Sequence, residues 1–129
     1  MADLTMILDL FFSLAIPIEE PETTGSDKGY FPFAPAAPGE IDEVYLMVKT
    51  APGAGKTLTV DVHKNGTTIF TTQANRPSIA DTATEDTSGT PDVTTFVKND
   101  KFTVDVDVST ATTAVADAVC IIRGRQSVK

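Results

Sequence analysis

The feature that most constrains the fold is the segment KTLTVDVHKNGTTIFTT at residues 56–72. Three apolar residues in its first half alternate with polar ones: Leu58, Val60 and Val62. This two-residue period is that of a strand with one buried and one solvated face. Asn65-Gly66 follows, and this dipeptide suits a type I′ turn because both central residues of that turn take a positive φ. A β-branched and aromatic run then restarts at Thr67, so we predict a β-hairpin.

The length of the chain limits it to one domain. It has 129 residues, which is enough for one domain and too few for two ordinary ones. A chain of this length buries roughly two-thirds of its unfolded surface, so its core needs no metal or disulfide. Cys120 is the only cysteine, so no intrachain disulfide can form. The lack of Trp and the many Thr, Val and Asp residues favour a β protein with a polar surface.

The charge of the chain argues against two classes of partner. Ten basic and 18 acidic residues give a net charge of −8 at pH 7. Nucleic acid is bound by cationic surfaces that displace counterions, and anionic lipid also attracts basic segments. We therefore expect neither a nucleic-acid partner nor a membrane partner. The same charge suits a soluble protein or a protein partner with a basic surface.

Residues 4–18, LTMILDLFFSLAIPI, form the most apolar stretch. They do not resemble a signal peptide, because no Lys or Arg precedes them. A membrane span needs about 20 apolar residues, whereas this run contains Asp9 and ends at Pro17. The apolar positions fit both a helical and a two-residue period, so periodicity alone leaves the choice open. The β-rich remainder of the chain and the Phe11-Phe12 pair favour a strand over residues 6–16.

Further strands are predicted from short runs of β-branched and aromatic residues that are bounded by turn signals. They span residues 28–34 (an edge strand interrupted by Pro32), 40–49, 93–97, 101–108 and 115–123. The residues expected to face inward are Ile41, Val44, Leu46 and Val48 in the second of these, and Phe102, Val104, Val106 and Val108 in the fourth. Together with the hairpin and the N-terminal strand, about eight strands are expected. The predicted fold is all-β, a single antiparallel β-sandwich of jelly-roll type.

Residues 73–92 are rich in Thr, Asp, Ser and Pro, with only Ile79 clearly apolar. A structureless loop of this length is uncommon inside a compact domain. We expect it to run over the surface, held near Ile79, where it could meet a neighbouring subunit. The predicted layout is an N-terminal strand or arm with a polar loop at 1–27, a β-sandwich body at 28–123 and a C-terminal tail at 124–129.

Gly53-Ala54-Gly55-Lys56-Thr57 looks like the end of a phosphate-binding P-loop. That motif needs a glycine five residues before Gly55, where this chain has Thr50. It also needs a following helix whose amides hold the phosphates, and here a strand is predicted to follow at once. A glycine turn is the preferred interpretation, and no nucleotide cofactor is expected.

The remaining chemically capable residues form no recognisable catalytic motif. His63, the only histidine, lies on the polar face of a predicted strand with no activating partner nearby in the sequence, which favours a solvent-facing side chain. Asp61, Asp105 and Asp107 would share a sheet face if their strands are neighbours, and could then bind calcium or act as an acid–base pair. Outward aspartates are more often a way to keep sheets soluble. Cys120, between two apolar residues, is interpreted as a small buried hydrophobic residue. We expect no catalytic residue, no cofactor and no metal site.

Several of these motifs occur together in other proteins. The segments concerned are Lys28-Gly29-Tyr30 with Pro32-Phe33-Ala34, Ile41 to Val48, Val60 to Gly66 with Thr68-Ile69-Phe70, Arg76 to Ile79, and Asn99 to Asp107. In this order the chain resembles small β-sandwich domains of tailed-phage virion proteins, which are tail-fibre-associated or capsid-decorating. The match covers most of residues 28–123 and implies a β-sandwich and a virion setting, but it carries over no binding residue. The chain departs from the family in its apolar N-terminal stretch and its acidic 82–92 loop.

The resemblance implies a structural protein without enzymatic activity as the first function. Such a decoration, or cement, protein binds the outer surface of a phage capsid. Its expected partners are the major capsid protein and its own copies, with which it would form a homotrimer. It acts through buried area repeated over a lattice rather than through catalytic groups. The termini and the 73–92 loop are the expected contacts. The alternative is a tail-fibre or head-fibre domain that binds a host surface glycan through Tyr30, Phe31 and Phe33.

Overall fold

The computed structural model of the chain describes residues 8–18, 24–26, 28–29, 34–109 and 116–128. These residues form nine strands and one 3-10 helix, Gln73–Asn75. The strands are β1 (Leu8–Pro17), β2 (Gly39–Thr50), β3 (Gly53–Lys64), β4 (Thr67–Thr68), β5 (Ser78–Asp81), β6 (Glu85–Thr87), β7 (Thr95–Phe96), β8 (Phe102–Val108) and β9 (Ala116–Val128). Within the described ranges, no helix is long and apolar enough to cross a membrane.

The strands form two antiparallel sheets that pack together. In the first sheet β9 pairs with β1 on one side and β2 on the other, and β2 also pairs with β6 and β7. In the second sheet β3 pairs with β4, β5 and β8. This arrangement confirms the predicted all-β sandwich.

The core lies between the sheets and is built from alternate residues of the long strands. Their side chains are at most 8% exposed: Leu14, Ile16, Ile41, Val44, Leu46 and Ile122 from the first sheet, and Leu58, Val60, Val62, Phe102, Val104 and Val106 from the second. The inward residues predicted for β2 and for most of β8 are therefore confirmed, and Val108 is half-buried. The three-residue step from Ile41 to Val44 breaks a strict alternation, because the register with β9 shifts between Ile41 and Glu43. Such a bulge turns the strand so that both residues face inward.

The predicted hairpin is confirmed. Strands β3 and β4 pair on either side of Asn65-Gly66, whose φ angles are 52° and 84°. Both are positive, as a type I′ turn requires. Asn65 also fixes the neighbouring turn before β8, because its side-chain oxygen accepts the Lys101 N–H at 2.9 Å and its amide nitrogen donates to Asp100 at 2.9 Å. One residue thus holds two turns together.

Several boundaries differ from the sequence prediction. Residues 124–128, predicted as a tail, continue β9, where they pair with β1 through Val128. Within residues 93–97 only Thr95 and Phe96 form a strand. The strand predicted at 6–16 is β1, whose observed span begins at Leu8, and residues 30–33 of the predicted edge strand lie outside the described residues.

The segment 73–92 runs over the surface, as predicted, but it is not a loop throughout. It contains the 3-10 helix, β5 on the second sheet and β6 on the first, so it links the two sheets. Ile79 does hold it to the core, as expected, with a fully buried side chain. Backbone groups paired by side chains stabilise the crossing, since Asp86 accepts the Ser78 N–H at 2.8 Å and Ser88 accepts the Val44 N–H at 2.9 Å. The polar composition concealed β5 and β6 because these acids and hydroxyls bind backbone amides.

Two further aspartates hold turns through their ionised carboxylates. Asp92 accepts the backbone N–H of Thr72 at 2.7 Å and its hydroxyl at 3.0 Å. Asp100 accepts the backbone N–H of Val97 at 2.8 Å as well as the Asn65 amide. Hydrogen bonds from these backbone amides, first of all, lower the pKa of both carboxyl groups below the ordinary aspartate value.

The first prediction concerns core packing. We expect Val104→Ala to reduce the free energy of unfolding by about 2–3 kcal/mol, because Val104 is fully buried and the change removes packed methyl groups. The matched control is Val97→Ala, at a side chain that is 60% exposed, where a change within about 0.5 kcal/mol is expected. Urea denaturation measures both. Equal losses would contradict the placement of Val104 in the core.

The second prediction concerns acid. A carboxyl group whose folded-state pKa is lowered stabilises the fold above its ordinary pKa of about 3.9, and this contribution disappears as pH falls through the folded-state pKa. The stability advantage of the wild-type chain over the double variant Asp92→Asn, Asp100→Asn should therefore be constant above about pH 4 and shrink below it. Urea denaturation from pH 7 to pH 2 tests this, and an advantage unchanged at pH 2 would refute it.

Candidate interaction surface

The aspartates and the histidine singled out in the sequence do meet on the second sheet. Asp61 and Asp105 lie directly opposite each other in the β3–β8 register. The Nε2 atom of His63 lies 3.5 Å from Asp61 Oδ2 and 3.2 Å from Asp105 Oδ2. Asp107 lies one row further along, opposite Thr59, and its side chain is exposed. The expectation of a purely solvent-facing His63 is therefore corrected: the imidazole bridges two carboxylates across neighbouring strands.

Asp61 is the most enclosed member of this group, with only 8% exposure. Its Oδ1 accepts the Thr68 hydroxyl at 2.6 Å, and the same hydroxyl accepts the Phe70 N–H at 2.9 Å. Gln73 approaches Asp61 Oδ2 at 3.5 Å and donates to the Phe70 carbonyl oxygen at 2.5 Å. These bonds hold the segment that follows the hairpin against β3. A buried carboxylate without partners would be unfavourable, and these bonds supply the partners, so Asp61 has a structural role.

The chemistry open to this group is limited. Two opposed carboxylates repel each other across a strand pair, and an imidazole between them offsets this in its protonated form. Within the described part of the chain, no set of three or more His, Cys, Asp and Glu side chains has the arrangement to hold a metal ion. The group stabilises the sheet and its hairpin.

The other two sequence candidates also have structural roles. Residues 53–57 belong to β3 and pass through a register shift against β5 between Gly53 and Thr57, and β3 continues past Lys56, where a P-loop would begin a helix. The Gly55 N–H donates to Asp81 Oδ1 at 2.7 Å, so this amide binds the end of the neighbouring strand β5 rather than a phosphate. Cys120 is fully buried, as predicted, and burial raises the pKa of its thiol to about 12. A thiol that stays protonated is a poor nucleophile.

The first sheet carries a surface that the sequence reasoning missed. On its outer face the register aligns Ala15 with Ile121 and Tyr45, and Pro17 with Val119 and Met47. We call these six residues the outer apolar patch. Ala15, Pro17 and Met47 are exposed, Met47 by 42%, and the other three are half-buried. An outer sheet face is ordinarily polar, so an apolar one indicates a contact surface.

Charged residues border the patch at one end. Arg123 lies over the Tyr45 ring, with its guanidinium carbon 4.3 Å from the ring centroid. Its Nη1 atom lies 3.9 Å from Glu43 Oε1. Arg125 pairs with Glu40 and Asp42, each at 3.1 Å. Apolar centre and charged border together match the layout of protein–protein interfaces, which have an apolar core and a polar rim.

A tyrosine joins the patch to β6. The Tyr45 hydroxyl donates a hydrogen bond to the Glu85 carboxylate, and this bond raises the pKa of the phenol. β6 belongs to the 73–92 segment that was expected to make contacts, and it borders the patch by pairing with Tyr45 and Met47. The sequence signal that could have revealed the patch is the run of apolar residues on both faces of 118–122, which a one-sided strand would not show.

Comparisons with known proteins give little information about the role of this surface. No protein-family model matches the chain, and no curated protein is significantly similar to it. Among solved structures, it is similar to a chain in the acidic stable capsid structure of Helicobacter pylori bacteriophage KHP30, with 14% sequence identity, a TM-score of 0.43 and 94% of each chain covered. Values this low do not establish a shared family or function. Tyr30, Phe31 and Phe33, the expected glycan platform, lie outside the described residues.

The third prediction tests the role of Asp61. We expect Asp61→Ala to lower the free energy of unfolding by about 1–3 kcal/mol, because the half-buried Thr68 hydroxyl loses its acceptor beside a nearly buried position. Asp107→Ala, which removes an exposed aspartate from the same sheet face, is the matched control and should change stability by less than about 0.5 kcal/mol. Urea denaturation of both variants measures the difference. A neutral Asp61→Ala would show that the bonds to Asp61 contribute no net stability.

Proposed function

We propose that this chain is a non-enzymatic decoration protein that binds the outer surface of a phage capsid and stabilises the shell. The observation that carries the proposal is the outer apolar patch, which places apolar side chains at one end of the outer face of the first sheet. The virion setting is supported by the order of sequence motifs that resembles tailed-phage β-sandwich domains. The proposed partner is the major capsid protein.

The patch is suited to adhesion rather than to turnover. A rigid sheet face pays little conformational entropy on binding, since its backbone is already fixed by β1, β9 and β2. Burial of apolar surface contributes about 25 cal/mol per Å² before the cost of association is subtracted. A single small face therefore gives modest affinity, and repetition over a lattice is what makes such contacts strong.

The electrostatics of the face are compatible with a protein partner. The net charge of −8 would repel an acidic surface, but Arg123 and Arg125 offset the acids at the border of the patch. The cost of bringing a partner to this face is therefore lower than the total charge implies. Self-association belongs to the proposal as well, with the homotrimer implied by the resemblance as its expected form.

A binding experiment tests the function. Shells are assembled from the major capsid protein encoded in the same genome, without this chain, and purified chain is added in increasing amounts. We expect saturable binding at a fixed ratio to the capsid subunit and a higher temperature of shell disruption. Failure to bind the shells, or binding to a host glycan array instead, would overturn the proposal, and the second result would support the fibre alternative.

The fourth prediction locates the contact. Met47→Asp places a carboxylate within the outer apolar patch, and we expect it to weaken shell binding at least tenfold, or about 1.4 kcal/mol. Val97→Asp is the control, because Val97 is exposed but lies outside the patch. Both variants should keep the wild-type circular dichroism spectrum and unfolding midpoint. Equal binding by the two variants would place the contact elsewhere on the chain.

A further inference from the structure

The turn between β3 and β4 contains a reactive pair of residues, Asn65 followed by Gly66. Both are exposed, and glycine has no side chain to hinder an approach to its backbone nitrogen. In such a pair the glycine nitrogen can attack the side-chain carbonyl carbon of the asparagine. The other two asparagines, Asn75 and Asn99, precede an arginine and an aspartate, whose side chains hinder the same attack. Asn65 is therefore the asparagine of this chain that is most disposed to deamidate.

The reaction needs no reagent except water. The Gly66 nitrogen bonds to Asn65 Cγ and gives up its proton, while the bond from Cγ to Nδ2 breaks and ammonia leaves. The five-membered succinimide that results then adds one water molecule. Breaking the bond between the Gly66 nitrogen and Cγ gives aspartate. Breaking the bond between the same nitrogen and the main-chain carbonyl carbon gives isoaspartate, whose backbone passes through Cβ and Cγ.

The folded chain holds the Asn65 side chain against this reaction. Its Oδ1 accepts the Lys101 N–H at 2.9 Å, and its Nδ2 donates to Asp100 Oδ1 at 2.9 Å. The main chain is held as well, because the Asn65 N–H donates to the Lys101 carbonyl oxygen at 2.8 Å. Ring closure moves Cγ onto the Gly66 nitrogen, and this movement breaks both hydrogen bonds of the side chain. The reaction therefore requires that the turn first opens.

We propose that Asn65 is a deamidation site that reacts only when the β3–β4 hairpin opens locally, and that the carboxylate so formed weakens the junction between this hairpin and the turn before β8. Local opening is accessible here, because β4 has only two residues and pairs with β3 through Thr67 and Thr68 alone. Short exposed elements open at a lower free energy than the core. The inference does not depend on the proposed function.

The product fits the position less well than asparagine does. An aspartate at position 65 can still accept the Lys101 N–H, but it has an oxygen in place of the donor to Asp100. Two carboxylates then face each other where the present hydrogen bond is 2.9 Å long, and like charges this close repel each other. Isoaspartate adds an atom to the backbone of a two-residue turn, which changes the connection that sets the β3–β4 register.

The fifth prediction is that unfolding greatly accelerates the reaction at Asn65. The wild-type chain is incubated at pH 8 in buffer and in guanidinium chloride that unfolds it, and mass spectrometry of its peptides measures conversion at each asparagine. We expect Asn65 to react at least tenfold faster in the unfolded chain than in the folded one, and faster than Asn75 and Asn99 in the unfolded chain. Equal rates in the two states would overturn protection by the fold. Slower reaction at Asn65 than at the other two asparagines would overturn the site.

Two variants distinguish local opening from global unfolding. Asp100→Ala removes the acceptor of the Asn65 amide and should raise the rate at Asn65 in the folded chain at least threefold. Val44→Ala is the control, because it destabilises the core from the first sheet, away from the hairpin, and should leave that rate unchanged. Both variants should react like the wild type in guanidinium chloride. Equal acceleration by the two variants, or none by Asp100→Ala, would refute local opening at this junction.

A third variant tests the consequence of the reaction. Asn65→Asp reproduces one product and should lower the urea midpoint of unfolding at pH 7. The loss should be smaller at pH 3, because protonation of the carboxyl groups removes the repulsion and restores a donor. Asn99→Asp adds the same charge one residue before Asp100, outside the hydrogen-bonded pair, and should shift the midpoint less. A midpoint of Asn65→Asp equal to that of the wild type would refute the weakening of the junction.

Discussion

The pairing of β9 with β1 on one side and β2 on the other is the constraint on which the rest of the structure depends. β9 pairs with both the N-terminal strand β1 and the first strand of the body, β2, so these two strands join one sheet only through β9. Its residues also serve two surfaces at once. Ala118, Cys120 and Ile122 enter the core, while Val119 and Ile121 point outward. A strand of this kind fixes the core and the contact face in a single register, and a slip of one residue would exchange them.

The outer faces of the two sheets differ in polarity. The second sheet has the usual polar outer face, which includes Asp105, Asp107 and Thr59. On the same face the Asp61 carboxylate accepts a hydrogen bond from Thr68, just after the hairpin turn. The first sheet breaks the rule, because its outer face is apolar at one end and charged at the other. Water therefore solvates the outer face of the second sheet better than the apolar end of the first. At the apolar end of the first sheet, a contact displaces water from apolar side chains, which is where desolvation costs least.

The parts of the fold that could be predicted from the sequence are those fixed by local chemistry. The hairpin was predictable because Asn65-Gly66 specifies its own turn. The inward residues of β8 were predictable because one face of that strand is apolar and the other, with Thr103, Asp105 and Asp107, is polar. β5 and β6 were not predictable in this way. Their stability comes from acids and hydroxyls such as Asp86 and Ser88 that bind distant backbone amides, and no local pattern encodes those partners.

The candidate surface was missed for a related reason. Periodicity distinguishes inside from outside only when the two differ in polarity, and in 118–122 both faces are apolar. Such a run predicts burial on both sides, and the second layer that would bury the outer side is absent among the described residues. Likewise, the meeting of His63 with Asp61 and Asp105 depends on which strands are neighbours, and strand order is a property of the whole chain.

The distribution of charge links these observations to assembly. The chain has an excess of eight acidic over basic residues, yet both arginines of β9 described above lie on the outer face of the first sheet, paired with the acids of β2. Pairs of this kind at an exposed rim add little to stability. Their effect is to reduce the negative potential beside the apolar patch without making it basic, so that a partner is selected by shape and apolar contact.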